Sequence, residues 1–139
     1  MVAVPSTEDQ ALLTSKLKDL IKAIESEPGF TPPTPHAGLL HVWDFVQRSH
    51  YMMLNLENIR TGAPIEHPEA IPKNDNAKDN AEKAQMTFTD VVTRSMTIDK
   101  LIKSPAMLAM MGGSPTTFSQ DTKDKSQAVL DMIMGLPDN

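Results

Sequence analysis

The sequence predicts an all-α fold, an irregular bundle of four main helices plus one short helix packed around a central helix at 36–61. Three observations carry this expectation. The run 39–60, LLHVWDFVQRSHYMMLNLENIR, has neither Gly nor Pro and contains the chain's one Trp and one Tyr. Three other stretches repeat apolar residues every three or four positions, the period of a one-faced helix. Gly and Pro fall between these stretches, where they stop helices rather than break them.

The first helix is expected to open at Thr7-Glu8-Asp9-Gln10, which matches a capping box with acids in the first turn. Leu13, Leu17, Leu20, Ile21 and Ile24 line one face, Lys16, Lys18, Lys22 and Glu25 occupy others, and Pro28-Gly29 ends the element. Phe-Thr-Pro-Pro-Thr-Pro at 30–35 reads as a stiff extended connector that sets how the first helix leaves the second. Docking to a proline-binding domain is the functional alternative for that segment.

The second helix, 36–61, stops at Gly62. At about 100° per residue, His41, Asp44, Arg48, Tyr51, Asn55 and Asn58 fall on one polar strip. Leu39, Val42, Phe45, Val46, Met52, Met53, Leu54, Leu56 and Ile59 spread over more than half the circumference. A helix apolar that far round is expected to have neighbours on several sides, which makes it the central member.

Residues 62–79 are expected to form a long loop, because Pro64, Pro68 and Pro72 oppose a helix and the Asn/Asp run that follows suits turns. Such a length points to a lid or to a crossover between the ends of the bundle, with Ile65 and Ile71 as pins to the core. The third helix, about 80–103, carries the stripe Ala81, Ala84, Phe88, Val91, Val92, Ser95, Ile98 and Ile102. Its β-branched content makes a strand at 86–93 the competing assignment and leaves room for a kink before Thr97, but the sustained period favours a helix. Ser104-Pro105 opens a short helix closed by Gly112-Gly113. A last helix, 121–134, turns Val129, Leu130 and Ile133 inward and stops at Gly135 and Pro137. The whole chain, 1–139, is read as one domain, with 1–6 and 136–139 disordered.

Composition narrows the function classes. The aromatic share is 4% against 10 Met, so the core is aliphatic and thioether in character and suits either irregular filling or an adaptable groove. A net charge of −5 leaves no basic footprint for phosphate, and acids interrupt the nearest cluster, Lys100, Lys103, Lys123 and Lys125; nucleic acid is not an expected partner. With no Cys there is no disulfide, thiolate metal site or Cys nucleophile, as suits a reducing compartment. The first ten residues lack the basic and apolar regions of a signal peptide, and no apolar run approaches the length of a membrane span. An intracellular, cytoplasmic chain without a membrane partner is the expectation.

No motif for chemistry stands out. Bundle metal sites use Glu-x-x-His pairs on facing helices, and none occurs, so neither metal nor other cofactor is expected. There is no glycine-rich phosphate loop and no Gly-x-Ser-x-Gly elbow. The sharpest local feature is the seven-residue spacing of Trp43, His50 and Glu57, which stacks them along one line drifting only about 20° per step. That line is placed in the apolar sector, where a His near a carboxylate is either a satisfied core pair or a tuned acid/base. The rise between His50 and Glu57 is about 10 Å, so they do not meet head-on. The second feature is the set Met107, Met110, Met111, Met132 and Met134, one soft surface if the short and last helices lie side by side. Thr31, Thr34, Ser104 and Ser114 each precede Pro, where phosphate would act on helix ends, although Pro after a cap residue is also ordinary helix grammar.

Two function classes follow. The first is a non-enzymatic protein–protein interaction or assembly module, engaging another protein through its Met residues or itself as a homodimer, since a central helix apolar over so much of its surface asks for extra cover. The second is a small-molecule-binding protein or small enzyme with Trp43, His50, Tyr51 and Glu57 lining a pocket beneath the 62–79 lid. There His50, with Glu57, would do the acid/base work.

Overall fold

The computed structural model describes residues 3–30, 37–72, 77–110 and 116–137. These residues form five α-helices and no strand: α1 (Thr7–Glu25), α2 (Ala37–Thr61), α3 (Asn80–Lys103), α4 (Pro105–Met110) and α5 (Gln120–Met134), with one 3-10 turn at Pro68–Ala70 between α2 and α3. The all-α bundle of four main helices and one short one is therefore what the chain adopts.

The main helices close a ring in which α1 packs on α2, α2 on α3, α3 on α5 and α5 back on α1. Side chains and termini give the directions. Gln10 donates to the Met53 carbonyl and Arg60 to the Pro5 carbonyl, so α1 and α2 run antiparallel. The end of α1 meets the start of α5 at Glu27 and Ser119, while the Ala3 amide donates to the Pro137 carbonyl at the opposite end. Residues 3–5 and 136–137, expected to be disordered, lie on the bundle instead: Pro5 and Leu136 are buried, and Val4 packs on the core.

The ring encloses Leu13, Leu17, Leu20, Ile24, Val42, Val46, Met53, Leu56, Phe88, Val91, Ile98 and Ile102. Met52 and Met53 are fully inside, so part of the methionine content does fill the core. The most extensive contact is between α2 and α3, yet α2 occupies a corner of the ring rather than an axis through it. Most of its wide apolar arc is covered by α1 and α3, although Leu54 is exposed, and the 62–72 segment lies over its polar strip.

Local details follow the sequence with a few changes. Ser6, not Thr7, caps α1, its hydroxyl accepting the Asp9 N–H at 3.2 Å. Helix α3 is unbroken, without a restart at Thr97 and without a strand at 86–93. Thr87, Thr89 and Thr97 each donate a hydroxyl to the carbonyl four residues back, which satisfies the hydroxyl within the helix. Ala81, assigned to the inner stripe, is exposed, and Leu130 is only half-buried, whereas Val129 and Ile133 are inside. The prolines of the 62–79 loop allow one short turn, with Pro68 at its first position, where the missing N–H costs nothing. Ser104 accepts the Met107 N–H and so caps α4. The connector at 31–36, His36, Met111, Gly112-Gly113 and the Thr31, Thr34 and Ser114 sites lie outside the described residues.

Candidate functional site

The loop after α2 decides where a site can form. It begins at Gly62, whose φ of +77° is the left-handed conformation that ends the helix and turns the chain back. The chain then runs antiparallel along the outer side of α2, and the polar strip of that helix receives it. Asn58 donates to the Pro64 carbonyl at 2.9 Å. Asn55 holds His67 by two bonds, donating to its carbonyl at 2.8 Å and accepting its N–H at 3.0 Å. The rings of Tyr51 and His67 stack at 4.1 Å with 8° between their planes. Arg48 reaches the Glu69 carbonyl at 3.4 Å, and Ala70 is buried where the segment ends its outward run. The two ends of the loop lie at one end of the bundle, Gly62 beside Asn80, and residues 64–70 lie over α2.

A cavity of about 410 Å³ lies between the C-terminal end of α2, the described part of the loop and the first turns of α3. Ile59 and Asn58 line it from α2, Ala63, Ile65, Ile71 and Pro72 from the loop, and Asn80, Lys83, Met86 and Thr87 from α3. Its size and its mainly apolar wall with a few polar groups are those of a small-molecule site. Sequence reasoning noticed Ile65 and Ile71 only as pins and missed the α3 wall. The available signal was spacing: Asn80, Lys83 and Met86 recur every three residues and share a face of α3 just before the buried stripe. A smaller hollow of about 80 Å³, lined by Asp44, Gln47, Arg48, Tyr51, Glu69 and Ala70, lies farther along α2 under the same loop.

The residues singled out from sequence are placed differently. Trp43 lies at the α1 edge, its indole N–H 3.4 Å from the Glu25 carboxylate and its ring 6.0 Å from Phe30. His50 is buried, 8% exposed, with Nδ1 unpartnered. Burial lowers its pKa below the ordinary 6.5, and the positive fields of Lys18 and His67 lower it further. Tyr51 faces the loop, accepting from Gln47 at 2.6 Å. Glu57 departs from the expectation: it is exposed, 3.9 Å from Arg60, and does not lie in the apolar sector with His50. The line 43-50-57 holds one residue at an edge, one inside and one in solvent, and these residues do not line the larger cavity.

The methionines do not make one surface either. Helix α4 packs on α3 rather than beside α5, with Leu108 inward and Met107 and Met110 outward. Met110 is 86% exposed. On α5, Ser126 bonds Asp99 near the C-terminal end of α3, and Met134 lies eight residues further on, about 12 Å along the axis toward the other end of the bundle. Met134 is exposed, whereas Met132 packs partly against the core.

Several charged groups of the described surface are paired locally. Lys103 pairs with Asp99, Arg94 with Asp90, and Lys125 with Asp121, whose hydrogen bond and charge raise the Lys125 pKa. Among the described residues no three His, Asp or Glu side chains converge in a way that would hold a metal ion, and no helix is long and apolar enough to cross a membrane. No protein-family model, no curated protein and no solved structure matches this chain.

Proposed function

We propose that this protein binds a small, largely apolar molecule in the cavity beneath the 62–72 loop. The observation that carries the reading is the cavity of about 410 Å³ walled by Ile59, Ile65, Ile71 and Met86, with Asn80 and Lys83 among its polar groups. Its loop wall is tied to α2 through Asn55 and Asn58, so the space is framed by fixed backbone. The sequence-based idea of a pocket under a lid is kept, but its residues change, and His50 has no acid/base role in it. Methyl NMR of the whole chain during titration with indole and short alkyl alcohols tests this. Saturable shifts at Ile65 and Met86, removed by Met86→Trp, are expected; shifts confined to other parts of the bundle would overturn it.

A second reading, a non-enzymatic module that associates with a protein partner or with itself, is favoured by Met107 and Met110 facing solvent on α4. Native mass spectrometry at two concentrations separates it from the first. A multiple of 15.3 kDa that dissociates on dilution and disappears in Met110→Lys would support it. A monomer at both concentrations would remove self-association.

A further inference from the structure

We propose that the ligand of the cavity is an amphiphilic carboxylate, with its alkyl chain among the loop isoleucines and its carboxylate between Lys83 and Asn80; this rests on the small-molecule reading above. The cavity suits a chain on the order of ten carbons, at the small end of the volumes that enclose organic ligands.

The charge of the ligand follows from which groups are already engaged. Among the described residues that line the cavity, Lys83 is the one charged residue and none is an acid. Arg60, Arg94, Lys103 and Lys125 each have a carboxylate within 4.0 Å, whereas Lys83 has none among the described residues and, of the cations left in this way, lines the cavity. The nearest acids in sequence are occupied at the helix start. Asp79 accepts the Glu82 N–H at 2.8 Å, and the Glu82 carboxylate accepts the Lys78 N–H at 3.0 Å. Thr87 turns its hydroxyl to the Lys83 carbonyl and does not compete as a donor into the cavity. Asn80, one turn before Lys83, sets an amide on the same face.

An apolar wall ending in one ammonium and the Asn80 amide, with the Asn58 amide already donating to the Pro64 carbonyl, matches a monoanion with an apolar tail. A phosphate dianion is matched better by several cations or an Arg fork. The net charge of −5 opposes any anion at long range, but at physiological salt charges beyond about 8 Å are screened, so the local ammonium dominates.

The test compares decanoate with decan-1-ol at pH 7, below the aggregation concentration of either, by calorimetry and methyl NMR of the full chain. Decanoate is expected to shift the Ile65 and Met86 methyls saturably and to bind more tightly than the alcohol. Lys83→Gln, a change at an exposed position, is expected to weaken decanoate by about fivefold, the scale of a partly exposed ion pair, while leaving decan-1-ol unchanged. Equal affinities for the two probes with no effect of Lys83→Gln would overturn the carboxylate assignment and leave the small-molecule reading standing. Absence of shifts at Ile65 and Met86 with both probes would overturn both.

Discussion

Asn55 grips the backbone of His67 from both sides, donating Nδ2–H to its carbonyl at 2.8 Å and accepting its N–H at 3.0 Å. The side-chain amide acts as a strand partner would, and the His67 carbonyl also accepts the Ala70 N–H at 3.0 Å as the cap of the 3-10 turn. Asn55 is fully buried, so its own polar atoms depend on His67 as much as the reverse. This reciprocal bond holds the loop over α2 and thereby frames the cavity.

Replacing Asn55 by Ala is therefore expected to cost about 1–3 kcal/mol, the scale for leaving the part-buried His67 N–H without its partner, while the His67 carbonyl keeps the Ala70 N–H. The same variant should lose hydrogen-exchange protection at the His67 amide before any global loss of structure. Retained protection at that amide would show that the loop is held by other contacts.

Gly62→Ala is expected to destabilise by about 1–2 kcal/mol, because the residue has φ of +77° and an L side chain is strained there. The added Cβ would also lie 3.2 Å from the Asn80 amide nitrogen at the cavity wall. Urea unfolding measures the first effect, and the Asn80 side-chain amide resonances report the second. A variant as stable as the parent would mean that the turn relaxes.

At the other end of the bundle, the Glu27 carboxylate accepts the Ser119 N–H at 3.0 Å, the Ser119 hydroxyl at 2.7 Å and the Thr122 hydroxyl. Ser119 in turn caps α5. Glu27→Ala removes a charged acceptor shared by three donors, and a loss of about 1.5–3 kcal/mol is expected. The urea midpoint should fall with the m-value unchanged, since the folded core is the same.

For His50 the sign is fixed by its environment. Burial, with Lys18 and His67 adding, lowers its pKa in the folded chain below the unfolded 6.5, so the folded state prefers the neutral ring. The resulting stability is fully present above 6.5 and is lost as pH falls through the lower, folded-state pKa. Unfolding midpoints measured from pH 8 to 5 should decline below the mid-sixes, and His50→Asn should flatten that decline. The charged groups around His50 act with it: Lys18 lies across on α1, and His67, itself 3.3 Å from Glu69, lies on the loop. Glu57→Ala, by contrast, should stay within about 0.5 kcal/mol of the parent at every pH, because Glu57 is solvent-exposed.

Secondary structure was legible in the residue order because its determinants are local. Apolar spacing marked 80–103 as a helix despite its β-branched residues, and the structure has α3 at Asn80–Lys103. Gly62 marked the end of α2 because a left-handed turn needs no distant partner. The polar strip on α2 was legible too, but not its purpose: the loop that covers it is brought there by tertiary contacts of Asn55, Asn58 and Tyr51. The 43-50-57 line shows the limit most clearly. Angle around a helix is set by spacing, and His50 and Glu57 differ by only about 20°. Burial depends as well on which neighbour stands at that height, and His50 has a neighbouring wall where Glu57 meets solvent. The methionines divide for the same reason, since the antiparallel course of α5 carries Met134 away from α4. The helices, their stops and the all-α class follow from residue order alone, through dihedral preference and periodic burial. The ring order, the docking of the loop and the cavity beside Lys83 arise only on folding, because each depends on surfaces from segments far apart in the chain.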